Sequence, residues 1–277
     1  MSRPSKTSAI FFPFDLFGSG GAAEGAKLLA DAVREMLEDN RQEKKPTRAA
    51  AYQRHVRTTE LTFEKLPDYE DWRQRGRDVA RQAFDKGDFL LWTAGNHLGV
   101  LPVYDELAKL PGKTLVVQFD AHLDIYNLSD CTAELSHGNF LLHCDSPLPA
   151  LVNLGHRELL LTPGYIDRYY QWTIPASELA IDPAPALERL RQACAIADRI
   201  FLDLDCDCFD PAFFPALAHP LPFGISPQQL LRLLAAAWSP KVCGAAISEF
   251  DPGRDANDRS LATLLWLVEW LLLTRYE

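Results

Sequence analysis

Short, nearly continuous apolar runs alternate with longer stretches of helical spacing along the whole chain. The first run, Ala9–Phe12, leads through Asp15 and a Gly-Ser-Gly-Gly loop into a helix expected from about Ala22 to Glu38. The basic and polar stretch Arg41–Arg57 reads as a solvated loop, and Thr58–Phe63 as a second strand. Asp71–Lys86 has the pattern of a charged amphipathic helix; strand Phe89–Thr93 and helix Leu98–Leu110 follow it. Further strands are expected at Thr114–Phe119, Leu151–Leu154, Arg199–Leu204 and Val242–Ile247. Helices are expected near Pro185–Ala197, at Ser226–Trp238 and at the C-terminus. Runs such as LVVQF, RIFLDL and CGAAI do not alternate polar with apolar residues, which marks strands covered on both faces. The pattern predicts an α/β fold, a single doubly wound, mostly parallel sheet with helices on both faces, with residues 1–277 as one domain. No polar linker or internal repeat interrupts it.

Composition narrows the partners more than the fold. With 47% hydrophobic and 24% charged residues, the chain is neither disordered nor fibrous. A net charge of −10 disfavours nucleic acid as a partner and is compatible with metal ions or cationic substrates. Cys131, Cys144, Cys194, Cys206, Cys208 and Cys243 form no C-x-x-C pair and read as reduced thiols of a cytoplasmic protein. The N-terminus lacks an apolar stretch followed by a small-residue cleavage site, so no signal peptide is expected. SLATLLWLVEWLLLTRYE is shorter than a membrane span and is interrupted by Glu269; it reads as a buried terminal helix. The Gly18–Gly21 loop, with Gly25 beyond it, departs from G-x-G-x-x-G spacing and reads as a turn feeding a helix rather than a dinucleotide site.

Chemistry concentrates at the strand ends, where parallel sheets bind ligands. Asn96 and His97 follow FLLWTAG, and TLVVQF runs into Asp120, His122 and Asp124. RIFLDL runs into Asp205, Asp207 and Asp210, and CGAAIS into Glu249 and Asp251. Four strands thus deliver imidazoles and carboxylates to one edge. Several carboxylates that close together cannot all ionise without cations or large pKa shifts. The mixture of carboxylate and imidazole suits borderline-hard divalent ions such as Mn²⁺.

At these residues the chain resembles the ureohydrolase family, which contains arginase and agmatinase. The matching segments are GNHLG, DAHLD, the S-H-G of LSHGN, DLDCDCFDP and SEFDP, within about Phe89–Glu277. The resemblance implies two Mn²⁺ ions: one held by His97, Asp120, Asp124 and Asp205, the other by His122, Asp120, Asp205 and Asp207. It implies that His137 shuttles protons and that Glu249 grips a substrate guanidinium, which a carboxylate can do through two parallel N–H bonds. Family members commonly form trimers or hexamers, so a homo-oligomer is possible.

The resemblance thins where arginases hold the α-amino and α-carboxylate groups of free arginine. Apolar Leu160 stands where arginases carry an aspartate after VNLGHRE, IYNLSDCTAEL follows DAHLD, and ALAHPLPFGIS replaces a Gly-Thr-Gly-Thr-Pro stretch. Two unpaired charges in a closed site would be costly, so the expected substrate is an arginine in a peptide, as for peptide arginases that make ornithine from arginine residues. Three other readings stand beside it: a small-molecule guanidino hydrolase of the agmatinase kind, a single-zinc deacetylase on the related fold, and a non-catalytic binding protein. The Arg41–Arg57 segment could also wall an open peptide groove.

Overall fold

In the computed structural model, which describes residues 6–18, 20–144 and 147–277, all sequence periodicity resolves into one sheet. Its strands are β1 (Thr7–Phe12), β2 (Val56–Glu60), β3 (Phe89–Ala94), β4 (Thr114–Phe119), β5 (Ala150–His156), β6 (Trp172–Pro175), β7 (Arg199–Asp205) and β8 (Val242–Ser248). They lie in the order β2-β1-β3-β8-β7-β4-β5-β6. Every pairing is parallel, so the expected mostly parallel sheet is wholly so.

Among the described residues nine α-helices accompany it: α1 (Ala22–Gln42), α2 (Leu66–Glu70), α3 (Trp72–Asp85), α4 (Leu101–Leu107), α5 (Pro163–Ile166), α6 (Ala176–Ile181), α7 (Ala184–Ile196), α8 (Pro227–Ala237) and α9 (Arg259–Tyr276). Alternate strand residues face two separate cores, as the period of two requires. Ala9, Phe11, Leu91, Val117, Leu202 and Ile247 pack with α1, α7, α8 and α9. Ile10, Phe12, Leu90, Trp92, Val116 and Phe201 pack with α3 and α4. Burial on both faces is why the strands read as unbroken apolar runs.

Several elements differ from the sequence pattern for identifiable reasons. β2 begins at Val56 instead of Thr58, because Val56 pairs with Thr7 of β1; Leu61 and Phe63 pack beyond the strand's end. The expected helix Leu98–Leu110 starts as a 3-10 turn at His97–Val100 and is α-helical only over Leu101–Leu107. β6 and α6 were not expected: an edge strand of four residues ending at Pro175 carries too short a pattern to stand out. The Gly18–Gly21 loop does feed a helix, with Gly21 at φ 100° before Ala22 and Asp15 accepting the N–H groups of Gly21 and Ala23; Ser19 lies outside the described residues.

The Arg41–Arg57 segment does not wall a groove at the chemical edge. It joins the end of α1 to the start of β2, so it sits where strands begin, opposite the edge where they end. There Arg48 pairs with Glu277 and Tyr52 donates to Glu269 at 2.6 Å. α9 buries Leu264, Leu267, Val268, Leu271 and Leu272, while Trp266 is exposed. Among the described residues no helix is long and apolar enough to cross a membrane.

Gly25 of α1 touches the segment that follows β8. A Cβ there would lie 1.8 Å from the carbonyl oxygen of Phe250. Gly25→Ala should therefore push α1 from the backbone next to Glu249 and destabilise the protein by about 1–3 kcal/mol, as overpacking does. Thermal denaturation checks this; an unchanged midpoint would show that α1 can move without cost.

Candidate metal centre

β3, β8, β7 and β4 are consecutive in the sheet, and their ends carry His97, Glu249, Asp205 and Asp120. Residues distant in sequence meet because the crossovers interleave these strands. The parallel pairing sets their ends side by side, and the chain turns immediately after each. Asp124 and Glu249 have φ of 49° and 59°, in the left-handed region that bulky residues avoid. Such strain persists where the surroundings over-determine it.

Two groups have ligand atoms all within 4.8 Å of one another: His97, Asp120 and Asp205, and Asp120, His122 and Asp207. Asp120 is common to both. Nδ1 of His97 lies 2.8 Å from Asp124 Oδ2, 3.2 Å from Asp205 Oδ2 and 3.3 Å from Asp120 Oδ2. Yet Nδ1 of His97 and the Oδ2 atoms of Asp120 and Asp124 are buried without a hydrogen bond. Nδ1 of His122 lies 2.7 Å from Asp207 Oδ2. Backbone N–H groups hold the carboxylates in place: His122 donates to Asp120 at 2.6 Å, Ala121 to Asp207 at 3.0 Å, and Asp207 to Asp205 at 2.9 Å. The six residues expected to hold metal are thus brought together.

The electrostatics show what the cluster lacks. Burial, then the charges of Asp124 and Asp207, push Asp120 up to about 7. Burial and the charges of Asp207 and Asp120 likewise push Asp205 well above the carboxylate range. Burial opposes ionisation of Asp207 too, but the charge and hydrogen bond of His122, the N–H of Ala121 and the charge of Arg157 together outweigh it and hold Asp207 low. Burial disfavours the His122 imidazolium, but Asp207 outweighs that and raises it to about 10. Carboxylate and imidazole donors with buried, unpartnered atoms aimed at a common space fit divalent ions.

Asp203, which the sequence reading did not single out, supports His97 from behind. This buried aspartate of β7 places Oδ2 3.0 Å from His97 Nε2 and accepts the Tyr104 hydroxyl at 2.7 Å. A carboxylate on the far nitrogen fixes the ring so that Nδ1 faces the cluster. The period of two in D-L-D-C-D already set Asp203 on the face of Asp205. Arg157 clamps the β7 loop, donating to the carbonyls of Asp207, Cys208 and Leu221.

The cluster floors a cavity of about 220 Å³, lined also by Tyr126, His137, Gly138, Ala218, His219 and Glu249. Glu249 accepts the backbone N–H of His97 at 3.0 Å and lies 3.3 Å from Nδ1 of His137. Burial disfavours the imidazolium of His137, but the bond to Glu249 and its charge raise the pKa above the ordinary value. Gly18 packs so closely on His137 that a Cβ would lie 2.6 Å from its ring. A second chamber of about 390 Å³ shares Tyr126, His137, Gly138 and His219 with the first; Phe17, Cys131, Thr132, Ser136 and Asn139 are among its other lining residues.

A parallel α/β sheet with histidines and aspartates gathered beyond four adjacent strands defines a class of α/β protein with a site that could hold metal. The chain belongs to the arginase family, whose sequence profile matches residues 6–273. It is 27% identical over 197 residues to an agmatinase of Serratia proteamaculans, covering 70% of this chain and 62% of that protein. It is 26% identical over 210 residues to an agmatinase of Photorhabdus laumondii, covering 74% and 66%. The matches thus span less than two thirds of these relatives' length. In fold it is similar to arginase from Bacillus subtilis, with a TM-score of 0.79 and 20% identity over 97% of this chain and 98% of the other. Formimidoylglutamase from Bacillus subtilis gives 0.78 and 20%, over 99% and 88%.

Two outcomes follow from the cluster. In metal-free protein Asp120 keeps a proton between its ordinary pKa of 3.8 and about 7, where the unfolded chain does not, so this group's stability falls as pH rises through that window. Metal ions need the ionised carboxylates, so stability due to bound metal rises over the same window. The melting temperature of chelated protein should therefore fall between about pH 5 and 7, while that of Mn²⁺-loaded protein should lack this fall, because neither the loaded protein nor the unfolded chain keeps the Asp120 proton there; equal falls in both would rule the cluster out as a metal seat. Separately, Asp203→Asn should weaken Mn²⁺ binding about 10–100-fold in equilibrium dialysis.

Proposed function

We propose that the protein is a dinuclear manganese hydrolase that converts arginine residues of a peptide to ornithine, releasing urea. The observation that carries this reading is the contrast between the two chambers. The inner one is rich in carboxylates and ends at Glu249, as a guanidinium requires. Among its described residues the outer one has no lysine, arginine, aspartate or glutamate; Thr132, Ser136 and Asn139 give it neutral polar groups. A free α-carboxylate would find no lysine or arginine there, and the amine of a small diamine-like substrate no carboxylate. Amide groups of a peptide would find hydrogen-bonding partners.

One ion would be held by His97, Asp120, Asp124 and Asp205, and the other by His122, Asp120, Asp205 and Asp207. When bound, such a pair acidifies water and stabilises charge developing on a tetrahedral carbon. Glu249 accepts two N–H bonds from the guanidinium and fixes its carbon above the cluster. His137, whose imidazolium Glu249 favours, gives a proton to the amine nitrogen as the C–N bond breaks. Water adds to the carbon that leaves as urea, and the amine remains on the peptide as ornithine. Tyr126 bounds the passage between chambers, its hydroxyl donating to Glu158 at 2.7 Å.

The agmatinase relatives favour one other reading, hydrolysis of a small guanidino compound. Urea release from an acetylated, amidated arginine peptide, compared with free arginine and agmatine under Mn²⁺, separates the two. The peptide should be turned over at least about 100-fold more efficiently, as expected where buried charges go unpaired in the poorer substrate. Preference for agmatine would replace the peptide reading. Asp205→Ala should abolish metal loading and urea release together.

A further inference from the structure

Large apolar side chains stand in solvent on the same edge as the carboxylate cluster. Phe17 is 57% exposed, Phe223 79%, Leu159 94% and Leu160 73%. All four lie on loops that leave the ends of β1, β7 and β5. Each loop is tied to the chambers. Phe17 lines the outer chamber, and its carbonyl accepts the backbone N–H of His137 at 3.0 Å. Phe223 shares a loop with His219, which lines both chambers. Leu159 and Leu160 follow Glu158, which bonds Tyr126, a residue of both chambers, and which also accepts the N–H of Leu161.

Burial does not explain the two phenylalanines, although Phe17 bonds His137 through its carbonyl and keeps a ring contact with Phe14, centroids 6.4 Å apart. Phe17 has φ 60° and Phe223 φ 61°, left-handed backbone that is unfavourable for a bulky side chain. Among the described residues the other non-glycine positions in that region are Asp124, Asn257 and Asp258, types that tolerate it, and Glu249 beside the cluster. Strained backbone normally persists because burial or bonding compensates it. Here the strain presents rings to water. Exposed apolar groups beside a chamber mark a binding surface, and strain collects at such sites.

We infer that Phe17 and Phe223, with Leu159 and Leu160, form an apolar rim that grips bulky apolar side chains neighbouring the target arginine of a peptide. The inference rests on the peptide reading above, and it names the flanking residues that the reading leaves open. The two chambers share Tyr126, His137, Gly138 and His219, so Glu249 and the carboxylates can take the guanidinium while the outer chamber takes the peptide backbone, and Phe17, the one rim residue that lines a chamber, is exposed at its wall. With no described charged carboxylate or ammonium side chain lining that outer chamber, charged neighbours have no counterpart.

The test compares acetyl-Leu-Arg-Phe-amide with acetyl-Ser-Arg-Ser-amide, on the Mn²⁺-loaded protein and on Phe17→Asn and Phe223→Asn. Asparagine tolerates left-handed backbone, so the variants should melt no lower than the parent while losing the grip. The apolar peptide should have a KM about 10-fold or more below that of the serine peptide, and each variant should erase most of that advantage. Equal KM values for both peptides would overturn the rim while leaving the peptide reading intact. Turnover of agmatine or free arginine with neither peptide cleaved would overturn the peptide reading itself. A change in solution mass in the variants, with the KM ratio unmoved, would assign the rim to contact between copies of this chain instead.

Discussion

Buried like charge is the constraint on which this structure turns. Asp120, Asp124, Asp205 and Asp207 converge beyond adjacent strand ends, nearly sealed from water. Their mutual repulsion, undiluted by solvent, has to be met by cations, by protons or by both. Burial and that repulsion push Asp120 and Asp205 above the usual carboxylate range, and the charge of Asp207 raises His122. The sheet below must be stiff enough to hold the carboxylates at this distance against their repulsion. Parallel pairing across all eight strands, with cores on both faces, provides that stiffness.

The same constraint organises the shell around the cluster. Backbone N–H groups of Ala121, His122 and Asp207 point at the carboxylates, and Arg157 ties down the carbonyls of the β7 loop. Asp203 and Tyr104 hold His97 from below. Beyond it the lining changes from charged in the inner chamber to neutral polar in the outer one, with Phe17 at its wall. That gradient matches a ligand with a cationic tip, a polar neck and apolar shoulders, and it is the physical basis of both proposals.

Much of this was legible in the chain. Unbroken apolar runs such as LVVQF could only be strands covered on both sides, and each ended in His, Asp or Glu, so the fold class and the residues of the cluster followed from period and punctuation. Asp203 was legible too, since alternate residues of a strand share a face, but its position inside an apolar run disguised it as part of the strand. β6 was beyond reach because four residues at a sheet edge draw their identity from pairing with β5, not from a pattern of their own.

What the sequence determined by itself was therefore the local alphabet: which segments are strands, and that metal-loving side chains terminate four of them. Tertiary structure alone decided that these four are neighbours, because strand order depends on crossovers whose lengths leave several arrangements open. It also decided that Arg41–Arg57 lies at the opposite edge and that Phe17 and Phe223 stand exposed on strained backbone. Exposure and φ belong to the packed chain, where neighbours far along the sequence set the space each residue can occupy.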